Sequence, residues 1–286
     1  MPSTPTSTRR VRAYRPDNRF GTGAFAALAA LAGELIAYRS HIRILFISAF
    51  KIAYTGSFLG VIWQFVLPII PISVYLLLVH MRVFPRLEGI SPEVFIGFNV
   101  TLWYLFTGFV RQPIEIVASR NSAMMKTSIP LSAAIAASFA NLTFDTIIRL
   151  IAVAALIMFT LSVPVPSAAL ALGAILAGVV FCLGLGLGLA VVNAVYSDVS
   201  QIVSIALQYG IFLSGVIFPI SSVPALGVAE FVNPFAVFVH AARELTFSGE
   251  LSHPIAFATW SALGVFLLLG SARFFYIMEY RLRGLS

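Results

Sequence analysis

The stretch Ala168–Ala194 reads AALALGAILAGVVFCLGLGLGLAVVNA and contains no charged residue. A helix needs about 20 apolar residues to cross the hydrocarbon core of a bilayer, and this run is long enough to do so. Only helices and closed barrels satisfy their backbone hydrogen bonds in lipid. The run therefore predicts a membrane-spanning helix.

Five further apolar runs surround this stretch, and the six runs together account for most of the chain. Of the 286 residues, 59% are hydrophobic and only 10% are charged, whereas a soluble domain carries about 25% charged residues. The sequence therefore predicts an all-α integral membrane fold with six transmembrane helices within residues 55–280. The runs are Phe58–His80, Val94–Val110, Leu131–Leu161, Ala168–Ala194, Gln201–Pro219 and Pro254–Met278.

Basic residues gather on one side of the predicted spans. An even number of spans places both termini on the same side, and the positive-inside bias makes that side cytoplasmic. The chain has a net charge of +7, and its basic N-terminal arm is then expected to contact anionic lipid headgroups. Nucleic acid is the weaker alternative, and no nucleic-acid partner is expected. The basic residues on this side include Arg9, Arg10, Arg12, Arg15, Arg19, Arg39, Arg43, Lys51, Arg281 and Arg283.

The two ends of the chain differ in character from the spans. Residues 1–23 are rich in Pro, Gly, Ser and Thr, and they predict a mobile basic cytoplasmic tail. Residues 24–54 combine apolar residues at helical spacing with charges, most clearly over Gly33–Ala53, and predict an amphipathic helix in the interface plane. A cytosolic helix packed on a partner fits this segment equally well. Residues 281–286 are the predicted cytoplasmic C-terminus.

One pair of opposite charges lies deep in the third run. Asp145 and Arg149 are four residues apart and would share one face of a helix. Each charge costs about 2.5–3.5 kcal/mol at the centre of a membrane helix. The pair therefore either serves a transport pathway or forms a structural ion pair that locks helix packing, and both readings stay open.

The sequence contains no arrangement typical of a catalytic, cofactor or metal site. Neither Lys51 nor Lys126 belongs to a glycine-rich phosphate loop, so no ATP site is expected on this chain. His240 and Glu244 could form half of a metal site, but zinc needs three or four ligands. The glycines of GLGLG within the fourth run are better explained by close helix packing than by dinucleotide binding. We therefore expect no enzyme activity, no cofactor and no metal.

Aromatic side chains in several runs have two interpretations. Trp and Tyr near the ends of spans are common anchors at the membrane interface. A path lined with aromatic rings would instead suit sugars, whose C–H faces stack on such rings. The candidate path aromatics are Trp63, Phe65, Tyr75, Trp103, Tyr104, Tyr209 and Phe212.

The segment Phe218–His253 is too interrupted by proline and charge to span and too apolar to be a plain loop. It predicts two short helices that dip into the outer leaflet and meet at Asn233-Pro234, because the residue before a proline is disfavoured in helical geometry. Such helices form either a moving outer gate or a static seal. The gate residues are Phe218, Pro219, Asn233, Pro234, Arg243 and Glu244, with the last two expected near the outer water interface.

The stretch KIAYTGSFLGVIW at Lys51–Trp63, followed by Pro68, resembles the membrane subunit of type-2 ATP-binding cassette exporters. It is most similar to the branch that exports polysaccharides such as O-antigen and capsule, in which such a motif leads from an interface helix into the first span. Ser119–Pro130 occupies the position of the family's coupling loop, and Tyr196–Val199 that of a short inner turn. The motif residues that carry the resemblance are Lys51, Tyr54, Gly60 and Trp63.

The resemblance implies a permease subunit in the bacterial cytoplasmic (inner) membrane. Its expected partners are a second copy of itself, two separate ATP-binding subunits that carry ATP and Mg, membrane lipid, and a lipid-linked cell-envelope polysaccharide as substrate. Exporters of a small lipid or drug share this scaffold and are the first alternative, and an integral membrane enzyme acting on lipid or glycan is the second. The residues expected to contact the ATPase are Ser119, Arg120, Asn121, Met124 and Lys126.

Overall fold

The structure, a computed structural model, describes residues 19–54, 62–63, 66, 70, 73, 77, 81, 90–119, 129–160, 164–220 and 227–284. These residues form helices joined by turns, and none of them lies in a strand. The helices are α1 (Ala24–Ala37), α2 (Arg39–Tyr54), α3 (Pro92–Ala118), α4 (Leu131–Thr160), α5 (Ala168–Val195), α6 (Asp198–Gly210), α7 (Ala229–Val232), α8 (Pro234–Phe247) and α9 (Pro254–Gly284).

Four helices in the described part of the chain are long and apolar enough to cross a membrane. They are α3, α4, α5 and the Pro254–Glu279 part of α9. These four helices coincide with the second, third, fourth and sixth predicted runs, and they confirm the prediction of a helical integral membrane protein.

The other two predicted spans are not established. Most of the first run, Phe58–His80, lies outside the described residues. In the fifth run, α6 has 13 residues and is followed by a 3-10 turn at Ile211–Leu213. The chain then leaves helical geometry, because Gly215 adopts a left-handed φ of 62°. Gln201–Pro219 is therefore not one continuous helix, and the six-span count stays a prediction.

Helix α5 is the centre of the packing and contacts α3, α8 and α9. Its glycines permit this close approach. A Cβ added at Gly184 would lie 2.6 Å from the backbone nitrogen of Leu268 in α9. On another face of α5, a Cβ at Gly186 would meet the carbonyl oxygen of Phe109 in α3. The structure thus confirms that glycines of the GLGLG stretch permit close helix packing.

The segment predicted as one amphipathic helix over residues 24–54 is two helices. Tyr38 separates α1 from α2 with φ −98° and ψ 16°. Helix α1 packs mainly on α9, whereas α2 packs on α4, where the ring centroids of Phe46 and Phe144 are 6.2 Å apart. The break lets each helix follow a different partner, which a single straight helix could not do. Whether either helix lies in the membrane interface stays a prediction.

Residues just before α1 are attached to the C-terminal part of α9. Arg19 Nη1 donates to the carbonyl oxygen of Tyr276 at 2.9 Å, and the Arg19 guanidinium stacks over the Tyr276 ring at 4.2 Å. Arg273 Nε donates to the carbonyl oxygen of Thr22 at 2.9 Å. Arg19 and Thr22, at the end of the predicted tail, therefore contact α9, whereas residues 1–18 lie outside the described part of the chain and their mobility stays a prediction.

Two carboxylates extend this attachment to the start of α4. Glu279, only 1% exposed, lies 3.6 Å from Arg19 and accepts from the backbone N–H of Ser132 at 3.3 Å. Ser132 Oγ donates to Glu34 at 2.9 Å, and Glu34 lies 3.5 Å from Arg19. A carboxylate at a free N–H in the first turn stabilises a helix start. We call Arg19, Glu34, Ser132 and Glu279 the Arg19 junction, which joins α1, α4 and α9.

Candidate functional site

The predicted coupling loop connects the end of α3 to the start of α4. Ser119 caps α3 through its backbone N–H, which donates to the carbonyl oxygen of Glu115 at 2.8 Å. The other loop residues predicted to contact the ATPase lie outside the described residues: Arg120, Asn121, Met124 and Lys126. Helix α4 begins at Leu131, and Ser132 in its first turn belongs to the Arg19 junction.

The motif Lys51–Trp63, which carries the family resemblance, lies only partly within the residues that the structure describes. Lys51 is exposed and lies, with Tyr54, in the last turn of α2. Trp63 is 41% exposed, and Gly60 lies outside the described residues.

The candidate path aromatics separate into core and surface residues. Trp103 is 5% exposed and packs on Phe235 with ring centroids 5.4 Å apart, so it is a packing residue. Its neighbour Tyr104 is 43% exposed, because successive residues of a helix point in different directions. On α6 and the 3-10 turn, Tyr209 and Phe212 are also largely exposed. Phe65 and Tyr75 lie outside the described residues.

A polar cleft of about 260 Å³ lies between α3 and α4, and we call it the α3–α4 cleft. Asp145 and Arg149 both line it, as the shared helix face predicts. The Arg149 guanidinium lies 4.4 Å from the centroid of the Tyr104 ring, which places a cation against an aromatic face. The sequence analysis did not associate Tyr104 with this pair, because it could not orient α3 relative to α4.

The α3 side of this cleft includes polar residues that sequence analysis did not single out, namely Thr107, Arg111, Gln112 and Glu115. Arg111 and Glu115 form an ion pair at 3.2 Å, one turn apart, and both are more than half exposed. Gln112 lies between them, and its Oε1 is buried with no hydrogen-bond partner among the described residues. Native structures rarely leave such an acceptor unpaired unless water or a ligand meets it. The cleft is thus rich in hydrogen-bonding groups within two helices long enough to span a membrane.

Within the described residues of the predicted gate segment, helices α7 and α8 meet at Asn233. Asn233 Oδ1 accepts from the N–H of Phe235 at 3.0 Å and so caps α8, where Pro234 occupies the first position. Asn233 Nδ2 donates to the carbonyl oxygen of Leu213 at 3.0 Å and to Ser214 Oγ at 2.9 Å. One side chain therefore joins the turn after α6 to the start of α8. The depth of α7 and α8 in the outer leaflet stays a prediction, as does the role of Phe218 and Pro219.

The turn after α6 is also held from α3 and α8. Asn99, fully buried in α3, donates through Nδ2 to the carbonyl oxygen of Val216 at 3.2 Å. His240 Nε2 lies against Gly215, where no Cβ would fit. Burial lowers the pKa of His240 well below its usual value, and Arg243 and His253 lower it further. His240 is therefore neutral at pH 7.

The two charged gate residues have different surroundings. Arg243 lies against Phe95 in the first turn of α3, with its guanidinium 4.8 Å from the ring centroid and Nη1 buried, and its predicted place near the outer water interface stays a prediction. Burial lowers the pKa of Arg243 to about 10, so it stays charged at pH 7. Glu244 accepts from Ser252 Oγ at 2.7 Å and from Ser252 N–H at 3.0 Å. In the described ranges, no group of three His, Cys, Asp or Glu side chains could hold a metal ion.

Comparison with known proteins adds two findings. The sequence profile of the family described as "ABC-2 type transporter" matches residues 40–247. Among curated proteins, the chain is similar to the O-antigen export system permease protein RfbA of Myxococcus xanthus, with 23% identity over 248 residues. The aligned region covers 86% of this chain and 95% of that relative, and so includes most of the described helices.

Proposed function

The chain belongs to the ABC-2 type transporter family of membrane proteins, and from this premise we propose that it is the permease subunit of a polysaccharide exporter. The family supports a transport role and a partnership with ATP-binding subunits. The proposed substrate is a lipid-linked cell-envelope polysaccharide, which moves from the cytoplasmic to the outer leaflet of the bacterial inner membrane. Both termini are then cytoplasmic.

The observation that carries the choice of substrate is the similarity to an O-antigen export permease along nearly the full length of both chains. A local match could reflect one shared motif, whereas this alignment includes most of the gate segment. The polar α3–α4 cleft and the exposed rings of Tyr104 and Tyr209 are chemically suited to a hydroxyl-rich cargo. An exporter of small apolar lipids or drugs has less need of such groups.

The proposed complex contains two copies of this chain and two ATPase subunits, which bind ATP and Mg. The ATPase would dock on the loop between Ala118 and Leu131. The second copy is proposed to cover α6 and the turn after it, where the apolar residues Ile202, Ile205 and Phe212 are exposed. The path would then run between the two copies, with α7 and α8 at its outer end.

Deletion of the gene tests this function. We expect glycan to disappear from the cell surface, as measured with a glycan-specific antibody on intact cells. The glycan should accumulate inside the cells instead. The gene restored on a plasmid should reverse both effects. Loss of drug resistance with normal surface glycan would favour a small-molecule exporter. Chemical modification of lipid or glycan by the purified chain without an ATPase would favour a membrane enzyme.

A further inference from the structure

We propose that the α3–α4 cleft binds a sugar unit of the cargo, with Gln112, Asp145 and Arg149 as hydrogen-bonding residues and Tyr104 as the aromatic contact. This inference rests on the proposed function, because it assigns a binding site for the substrate class of the same transporter. The cleft lies between two helices that could both cross the membrane, near the middle of each at Tyr104 and Arg149.

The position of the charges argues that this surface does not face lipid. Charged side chains within spans are costly and lie next to other protein, water or a transported group. Here four charged residues open into one cleft, two of them on each helix: Arg111 and Glu115 on α3, and Asp145 and Arg149 on α4. Arg111 and Glu115 pair with each other towards the end of α3, whereas Asp145 and Arg149 lie near the middle of α4, where contact with lipid tails is costly.

The balance of charge indicates which ligand fits. Two arginines and two carboxylates give the cleft no excess of either sign, so it has no evident preference for a phosphate or a cation. Sugar hydroxyls both donate and accept hydrogen bonds, and can therefore pair with carboxylates and guanidinium groups alike. A neutral polyhydroxylated ligand is the class that uses all of these groups.

Gln112 supplies independent support. Its Oε1 is buried, lacks a hydrogen-bond partner among the described residues, and belongs to a residue that lines the cleft. An acceptor in this state pairs with water or with a donor from outside the described residues, and a sugar hydroxyl is a donor that can replace the water.

The size and aromatic wall of the cleft agree with a single sugar ring. Its volume of about 260 Å³ is below the roughly 300–1,000 Å³ of sites for drug-sized ligands. Tyr104 is 43% exposed although Arg149 stacks on it, so part of its ring remains open to a ligand. Leu142 closes the cleft beside Gly108, where an added Cβ would lie 2.6 Å from the Leu142 methyl carbons.

Photocrosslinking in exporting cells tests the site directly. Gln112 is replaced by the photoreactive residue p-benzoylphenylalanine in the full chain with its natural partners present, and the cells are irradiated. We expect a covalent adduct that the glycan-specific antibody detects. The matched control places the same residue at Leu172, which is 61% exposed on α5 outside the cleft, and should give no glycan adduct. An adduct with a second copy, with phospholipid only, or with no partner at position 112 would overturn the proposal, as would equal glycan labelling at Leu172.

Transport by two conservative variants provides a second measurement. Gln112→Leu and Asp145→Asn each remove hydrogen-bonding capacity without a large change of shape, and should lower the rate of glycan export about 2- to 10-fold. Thr143→Val is the control, because Thr143 lies on α4 outside the cleft and its hydroxyl bonds the carbonyl oxygen of Phe139. Wild-type rates in both cleft variants would contradict the inference alone. Unchanged surface glycan after gene deletion would instead refute the proposed function.

Discussion

Substitution of Gly184 by alanine tests the packing at the centre of the fold. The added Cβ would lie 2.6 Å from the backbone nitrogen of Leu268 and 2.9 Å from its Cα, whereas unstrained contacts are about 3.5–4.0 Å. Backbone atoms cannot rotate away as a side chain can, so α5 and α9 must separate by roughly 1 Å. Overpacking of this kind lowers the free energy of unfolding by about 1–3 kcal/mol.

The same helix offers a matched control. Gly173 has no atom within 4 Å of an added Cβ, so Gly173→Ala should only gain helix propensity, up to about 1 kcal/mol. Gly184→Ala shares that gain, and the difference between the two variants therefore isolates the packing cost of about 1–3 kcal/mol. The free energy of unfolding of the purified protein in mixed micelles measures this difference. Equal stability of the two alanine variants would refute the close approach of α5 and α9.

Three further predictions concern the junction, the gate and pH. Glu279→Gln should lower the free energy of unfolding by about 1–3 kcal/mol because it removes a buried charge from Arg19, whereas the exposed Glu250→Gln should leave stability unchanged. Asn233→Ala should lower the free energy of unfolding by about 1 kcal/mol or more, because it removes the α8 cap and the hydrogen bonds to the turn after α6. It should also reduce export. Wild-type export by that variant would argue against a role of this contact in transport. The lowered pKa of His240 favours the neutral form of this side chain in the folded state. Its contribution to the free energy of unfolding is therefore fully present above pH about 6.5, the usual pKa of histidine, and is lost as the pH falls below that value. The loss is measured as the difference between the melting temperatures at pH 7.5 and pH 5.5. The variant His240→Gln should show a smaller difference than the wild type. An equal difference in the variant would mean that another group causes the loss.

The spans could be predicted because their signal is local. Length and apolar composition decide whether a segment can cross a bilayer, and α3, α4, α5 and α9 meet both criteria. The start of α8 was also predictable, since Asn233 followed by Pro234 is a strong signal for a helix start.

Other features depend on contacts between residues far apart in the chain. The break at Tyr38 has no Gly or Pro to announce it, and it arises because α1 and α2 pack on different helices. The Arg19 junction joins residues 19, 34, 132 and 279, whose proximity no local pattern indicates. The orientation of Trp103 into the core and of Tyr104 onto the surface likewise depends on how α3 is rotated in the bundle.

The most direct test of the proposed function is reconstitution of transport. Vesicles contain the purified chain with its partner ATPase, and a lipid-linked glycan is supplied on the face where the ATPase binds. We expect glycan to become accessible to antibody on the opposite face only when ATP, Mg and both proteins are present. Transfer without the ATPase, or ATP hydrolysis by the complete complex with no transfer of glycan, would contradict the account.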